Sequence, residues 1–350
     1  MAGTGFPRSG DGPAPSGAGW IVLSDRESPV AGPAALARGL FVLEFRLPLG
    51  EPTVLAAIEE PERRQALSIF YDPAAGPSVL IRSGERARRH RIETAPAPDL
   101  AGVARLSLWL DAGFGAGTGI WRLGYQVIDR SALHLARGDR PLPFDAALIR
   151  RLADRMGGGF RHPSVLWFGL GSGQDLPQAA PWIGPMTPIE TDRGPVAAGE
   201  LRPGMMIRTL DQGFLPLRAL NRMELPAAGS FAPVVLRQPF FAAERDLLVS
   251  ADQLLLISGP SVEYLTGEEE VLVPAGALAD GRVAERDNRR AVTRSVALDL
   301  GQPALVEADG CCLLSATQGT TAKLPRRTLA DWEMTPLLAL LGRASLRRAA

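Results

Sequence analysis

The chain is predicted to be an all-β protein of two domains, with short helices only. Three observations lead there. Apolar residues recur at every second position through much of the chain. Turn dipeptides separate these runs at short intervals. A stretch rich in Gly, Pro and Ala divides two halves that each carry the pattern. At 350 residues the chain has the length of two ordinary domains. A formal net charge of zero gives no electrostatic footprint for DNA or RNA.

The elements follow in order. Residues 1–18 are rich in Gly, Pro, Ser and Ala and read as a disordered tail. They lack the basic and then apolar regions of a signal peptide. A cytoplasmic protein, or one secreted without a cleaved signal, fits equally. From residue 19 to 175 the pattern is that of a β-sandwich. Phe41, Leu43, Phe45 and Leu47 alternate with Val42, Glu44 and Arg46. Leu67, Ile69 and Tyr71 repeat this, then Val79 and Ile81, then Leu106, Leu108 and Leu110. Trp121, Leu123, Tyr125 and Val127 make another strand. Asp72-Pro73, Gly84 and the Gly113–Gly119 stretch supply the turns. Phe144 to Met156 has helical spacing, with Asp145 in the first turn and Gly157-Gly158-Gly159 as its end. Val165 to Leu170 reads as a closing strand.

Gly171 to Pro185 reads as the interdomain linker, with the boundary placed at 176–186. Residues 187–325 return to short strands. Pro203-Gly204, Gln212-Gly213 and Asp280-Gly281 are turns, and Leu247–Val249, Leu254–Ile257, Val271–Val273 and Ala304–Val306 are apolar runs. Residues 326–350 form a C-terminal extension in which Pro336 to Arg348 reads as a capping helix. Each half has enough length for its own core and is expected to fold by itself. Cys311 and Cys312 are adjacent, which is neither a disulfide framework nor a metal-ligand spacing. In a strand they would point to opposite faces, as buried apolar residues. No run of about 20 apolar residues exists, so no membrane span is expected.

Several blocks in the second half carry a resemblance. Thr187-Pro188-Ile189-Glu190-Thr191 with Gly194-Pro195-Val196 comes first. Glu200-Leu201-Arg202-Pro203-Gly204 and Ile207 to Gly213 come next. Arg245 to Gln253 follows, and then Val271 to Ala275 with Leu278 to Gly281. In this order they resemble the hedgehog/intein (Hint) family, in the form carried by bacterial Hint-domain proteins. The resemblance implies a Hint-like β-fold and, for the family, autoprocessing by an N-to-S or N-to-O acyl shift. In that chemistry a Cys or Ser at the domain's start attacks the preceding carbonyl. A histidine in a later block protonates the leaving nitrogen.

Carried over position by position, this machinery is degenerate. The nucleophile falls at about Pro185, which has neither a nucleophilic side chain nor an N–H. The histidine falls on Gln253, which can hydrogen-bond but cannot shuttle a proton near neutral pH. A later position falls near Gly301 or Gln302, and Met205 replaces an expected Asp. All three histidines, His90, His134 and His162, precede the second half. Thr187 reads as structural. Ser250 and Asp252 stand where the family orients the cleaved peptide and could still hold a backbone in place. No catalytic residue, cofactor or metal is therefore assigned. If Gln253 fills the old histidine pocket, the fold should bring it close to Pro185–Thr187.

The first half has a fainter resemblance to laminin-G or concanavalin-like sandwiches, carried by Phe41 to Pro48, Arg105 to Asp111 and Trp121 to Asp129. Such domains bind sugars or proteins, but fold alone does not establish function. His90 lies in the basic run Arg86-Ala87-Arg88-Arg89-His90-Arg91, which reads as a solvated edge strand. His134 and His162 read as structural. Two functions compete. One is a pseudoenzyme, a non-catalytic Hint scaffold that binds an unknown protein or glycan. The alternative is autoprocessing with a non-standard nucleophile.

Overall fold

The computed structural model describes residues 19–26, 32–93, 101–113, 119–128, 133–154, 156–172, 181–316, 323–330 and 332–339. The tail read at 1–18 lies outside the described residues. The chain is mostly strand with three short helices, the all-β class expected. It divides into two compact units between Leu176 and Pro177.

The first unit contains β1 (Gly19–Leu23), β2 (Ala35–Leu36), β3 (Arg38–Leu47), β4 (Thr53–Glu60), β5 (Gln65–Asp72), β6 (Gly76–Ser83) and β7 (Arg86–Arg91). These are followed by β8 (Gly102–Asp111), β9 (Ile120–Val127), β10 (His134–Asp139), β11 (Phe144–Asp145), α1 (Ala146–Ala153), β12 (Phe160–Arg161) and β13 (Val165–Ser172). A six-stranded sheet runs β1-β13-β3-β8-β9-β10, and a five-stranded sheet runs β12-β4-β5-β6-β7. Period-two alternation sends Phe41, Leu43 and Phe45 of the first sheet against Leu67, Ile69 and Tyr71 of the second, in one core. The rings of Phe45 and Tyr71 are 5.3 Å apart across it. Helix α1 starts where Asp145 caps it, its carboxylate accepting the Leu148 N–H at 2.9 Å. It ends at Ala153, before the expected glycines, and buries Leu148, Ile149 and Leu152.

Glu44 alternates with the core residues of β3, yet it is fully buried. Its carboxylate accepts hydrogen bonds from Arg105 Nε at 2.9 Å and Trp167 Nε1 at 2.7 Å. A buried charge is tolerated when it is paired in this way. His90 also departs from expectation. β7 is an edge strand with exposed arginines, yet His90 is buried. Its ring lies edge-on to Trp121 at 4.7 Å, and neither ring nitrogen has a hydrogen-bond partner. Burial first, and the nearby Arg88 second, push its pKa down from 6.5 to about 4. His162 is satisfied locally, with Nδ1 2.7 Å from Ser164 Oγ. His134 is half-buried near the Tyr125 ring.

The second unit contains β14 (Pro188–Thr191), β15 (Gly194–Ala197), β16 (Met206–Thr209), β17 (Gly213–Pro216), β18 (Ala219–Pro226), β19 (Val234–Leu236), β20 (Leu247–Val249) and β21 (Leu254–Ser258). Then come α2 (Pro260–Thr266), β22 (Glu270–Pro274), β23 (Ala284–Arg286), β24 (Val292–Asp299), β25 (Leu305–Ala308) and β26 (Cys311–Leu314). The largest sheet runs β15-β14-β16-β25-β26-β21-β22, with β17 paired to β16. β18 pairs with β24, and β19 lies between β20 and β23. Cys311 faces the main core and Cys312 the opposite side of the sheet, among Leu254, Leu256 and Leu272.

The linker reading is corrected at both ends. Gly171 and Ser172 belong to β13, while Trp182 and Ile183 are buried; residues 173–180 lie outside the described residues. Residues 323–330 continue along β22, where Leu272 N donates to Arg327 O at 2.8 Å and Leu329 N to Leu272 O at 3.0 Å. A third helix, α3, covers 332–339 and starts before Pro336. Met334 and Leu337 dock it to the core, which accounts for the earlier start. Residues 340–350 lie outside the described residues.

Two predictions follow from the buried polar groups of the first unit. Arg105→Ala removes the cation from a buried carboxylate and is expected to cost about 3–5 kcal/mol in urea unfolding. Replacing the pair together, Glu44→Leu with Arg105→Met, should recover most of that loss. For His90 the unfolded chain binds a proton below pH 6.5 while the folded chain resists it down to about pH 4. Stability should therefore fall as pH drops through that window, by roughly 3 kcal/mol in total. The His90→Leu variant should lack this component when both are titrated side by side.

Candidate functional site

The second unit is assembled around a short segment, Trp182 to Gly184. Ile183 exchanges both backbone hydrogen bonds with Val296 of β24, each at 2.9 Å. On its other side the segment pairs with β20. Trp182 O accepts from Ser250 N at 2.9 Å, and Gly184 N donates to Leu248 O at 2.6 Å. Residues 182–184 are thus a central strand joining the β18–β24 pair to the β20–β19–β23 sheet. Apolar Trp182-Ile183 suits that place, since both neighbours bury it.

Next to this segment lies a cavity of about 10 Å³, lined among others by Pro181, Trp182, Ile183, Gln253, Leu314 and Ser315. That is room for one water at most. Gln253 is 1% exposed. Its amide donates to Leu314 O at 2.8 Å and to Leu254 O at 3.0 Å. Ser315 Oγ accepts from Ala304 N at 3.1 Å and lies 3.2 Å from Gln302 O, to which it donates. None of the residues lining the cavity is an acid, a base or a thiol.

Some of the residues singled out in the sequence meet here. Ser250 is buried, and its Oγ accepts the Trp182 N–H at 3.0 Å. It thereby fixes the backbone of Trp182. Gln253 and the start of the domain are brought together across 70 residues of sequence, but at a shifted register: Pro181–Ile183 face Gln253, and Pro185 does not line the cavity. The Pro185 carbonyl instead accepts from Gly199 N at 2.7 Å. Thr187 is buried outside the cavity, and its backbone bonds to Gly184 and Ala198. Asp252 is exposed. Gly301 occupies a turn at φ 77°, with its N–H on the Asp299 carboxylate at 2.7 Å and Arg218 packed where a Cβ would stand.

Two residues of the site escaped sequence reasoning. Trp182 lies in the stretch read as the interdomain linker, where only its apolar neighbour Ile183 accompanies it. Ser315 sits in Leu313-Leu314-Ser315-Ala316, which carries no signal beyond a strand. The cysteines offer no substitute nucleophile. Burial chiefly, and then Cys312 and Asp309, push the Cys311 thiol up to about 12. Burial, then Glu307, Glu270 and Asp211, raise Cys312 to about 11. Both stay protonated thiols near neutral pH, and the thiolate is the reactive form. Among the described residues no group of three His, Cys, Asp or Glu side chains is placed to hold a metal ion. No helix among them is long and apolar enough to cross a membrane.

The model of the Hint domain family matches residues 184–320. No curated protein matches the chain. The match opens inside the central segment beside Gln253 and runs through the whole main sheet of the second unit. This chain is a Hint-domain protein, with its Hint domain at residues 184–320.

Proposed function

We propose that this Hint domain is a non-catalytic scaffold, and that the chain acts as a binding or structural module rather than by cutting itself. One observation carries the reading: the backbone beside Gln253 is a doubly paired strand, and none of the residues lining the cavity next to it is an acid, a base or a thiol. An acyl shift needs a side chain that attacks the preceding carbonyl and an acid that protonates the departing nitrogen. At Pro181, Trp182 and Ile183 there is no hydroxyl or thiol. The neighbouring polar side chains, Gln253, Ser250 and Ser315, are each engaged in holding backbone groups.

Breaking a peptide in this segment would also release hydrogen bonds that join two sheets. An autoprocessing domain expels its flanking peptide, whereas this one has built the segment into its own core. Gln253 fits the same reading: a histidine-to-glutamine replacement keeps a donor for carbonyls and gives up proton transfer. In the first unit, the two packed sheets are compatible with a laminin-G or concanavalin-like sandwich that recognises a protein or a glycan.

Intact-mass measurement of the full chain tests the proposal. After incubation with a thiol, and separately at alkaline pH, a single uncut species is expected. A fragment with a new end between residues 181 and 187 would overturn it. Gln253→His should leave the chain uncut as well, because no nucleophile is restored. Gln253→Leu leaves the Leu314 and Leu254 carbonyls without their donor and is expected to cost about 1–3 kcal/mol in urea unfolding.

A further inference from the structure

We propose that the open edge of β7 in the first unit is a docking site for an extended acidic polypeptide, which adds a strand to the five-stranded sheet. The inference rests on the first unit alone and is independent of the Hint reading.

β7 is the last strand of its sheet, and among the described residues it pairs only with β6. Four of its six residues are arginines, and all four are exposed. Arg91 has a carboxylate partner in Glu93. Arg88 reaches the Arg140 carbonyl and the Ala87 carbonyl of β7 itself, Arg89 reaches the Ser78 hydroxyl, and among the described residues the Arg86 side chain makes no hydrogen bond or ion pair. Arg86, Arg88 and Arg89 thus have no carboxylate partner among the described residues.

Register decides how these charges are displayed. Arg89 and Arg91 pair with Leu80 and Ser78, on the outer face of the sheet. Arg88 pairs with Ile81, whose side chain joins the core, so it projects from the other face at the rim. The strand therefore presents cations on both faces of an open backbone edge. An incoming strand would place its side chains alternately beside both sets, within the short range of cross-strand pairs.

The edge is also rigid. His90, in the middle of the arginines, is buried against Trp121. Trp121 in turn lies on Gly138 of β10, where a Cβ would come within 2.7 Å of the ring. This pins β7 in place and lowers the cost of ordering it on binding.

The chemistry selects the partner. A second copy of β7 would set arginine against arginine, which is unfavourable. Single-stranded nucleic acid is held by cationic grooves with exposed aromatic platforms, and β7 itself carries no exposed aromatic residue. A polypeptide strand uses both the unpaired backbone groups and the charge, by strand addition.

The test uses the full chain and a fluorescent peptide of about eight residues in which pairs of Glu alternate with pairs of Val, so that each face carries Glu, long enough to span a six-residue strand. Fluorescence anisotropy should show saturable binding that weakens with added salt. The same peptide N-methylated at alternate residues keeps its charge, cannot pair, and should not bind. The variant Arg86→Ser, Arg88→Ser, Arg89→Ser should unfold like the parent and bind roughly tenfold more weakly. Should that variant not fold, Arg86→Glu with Arg88→Glu is the substitute, and it should prefer a Lys-Val peptide instead. No saturable binding by the parent up to about 1 mM would overturn the proposal. So would equal binding of the N-methylated peptide, an unchanged affinity of the variant, or tighter binding of an oligothymidylate of equal charge.

Discussion

A peptide group withdrawn from water must find its hydrogen bonds inside the protein. For Ile183 they come from Val296, while its neighbours Trp182 and Gly184 bond to Ser250 and Leu248 on the opposite side. This arrangement ties β20 and β24 together through a third strand. Without it, β18–β24 would be a lone pair, and two-stranded ribbons are marginal in water. The Hint domain thus depends on residues just at its own start. On the proposed reading that stretch is a structural member, and a small cavity lies between it and Gln253.

Buried polar groups show three different solutions in one molecule. Glu44 in the first unit is met by a guanidinium and an indole N–H. Gln253 carries no charge, and its two donated bonds serve carbonyls that would otherwise be orphaned. His90 has no hydrogen-bond partner and is accommodated as a neutral ring against Trp121. Arg88, two residues away, reinforces that state by repelling a proton from the imidazole. The differing outcomes follow from what each ring or chain meets across the sheet, not from residue type.

The C-terminal residues extend the domain by the same rules. The chain at 323–330 adds backbone bonds along the edge of β22, and Arg326 spans Asp211 and Glu270 at 2.8 and 2.6 Å. Arg327 and Glu333 link this edge to α3. An exposed strand edge is thereby covered on the second unit, whereas β7 on the first unit is left with charge alone among the described residues.

The all-β class and many of the strands were legible in the sequence, because period-two alternation states which residues share a face. The helix at Asp145 was legible for a similarly local reason, a capping carboxylate before a helical apolar pattern. The Hint domain was legible as ordered motifs, because its blocks are local runs of residues. Local pattern could not show that both faces of β3 would be covered, and so gave no sign that Glu44 is buried. Nor could it show that Trp182-Ile183 would become a strand, since that depends on β20 and β24, which lie far along the chain. The same dependence set the register of the site at Pro181–Ile183 rather than Pro185, and brought in Ser315. Partners across a sheet are set by long-range pairing, and no window of neighbouring residues contains them.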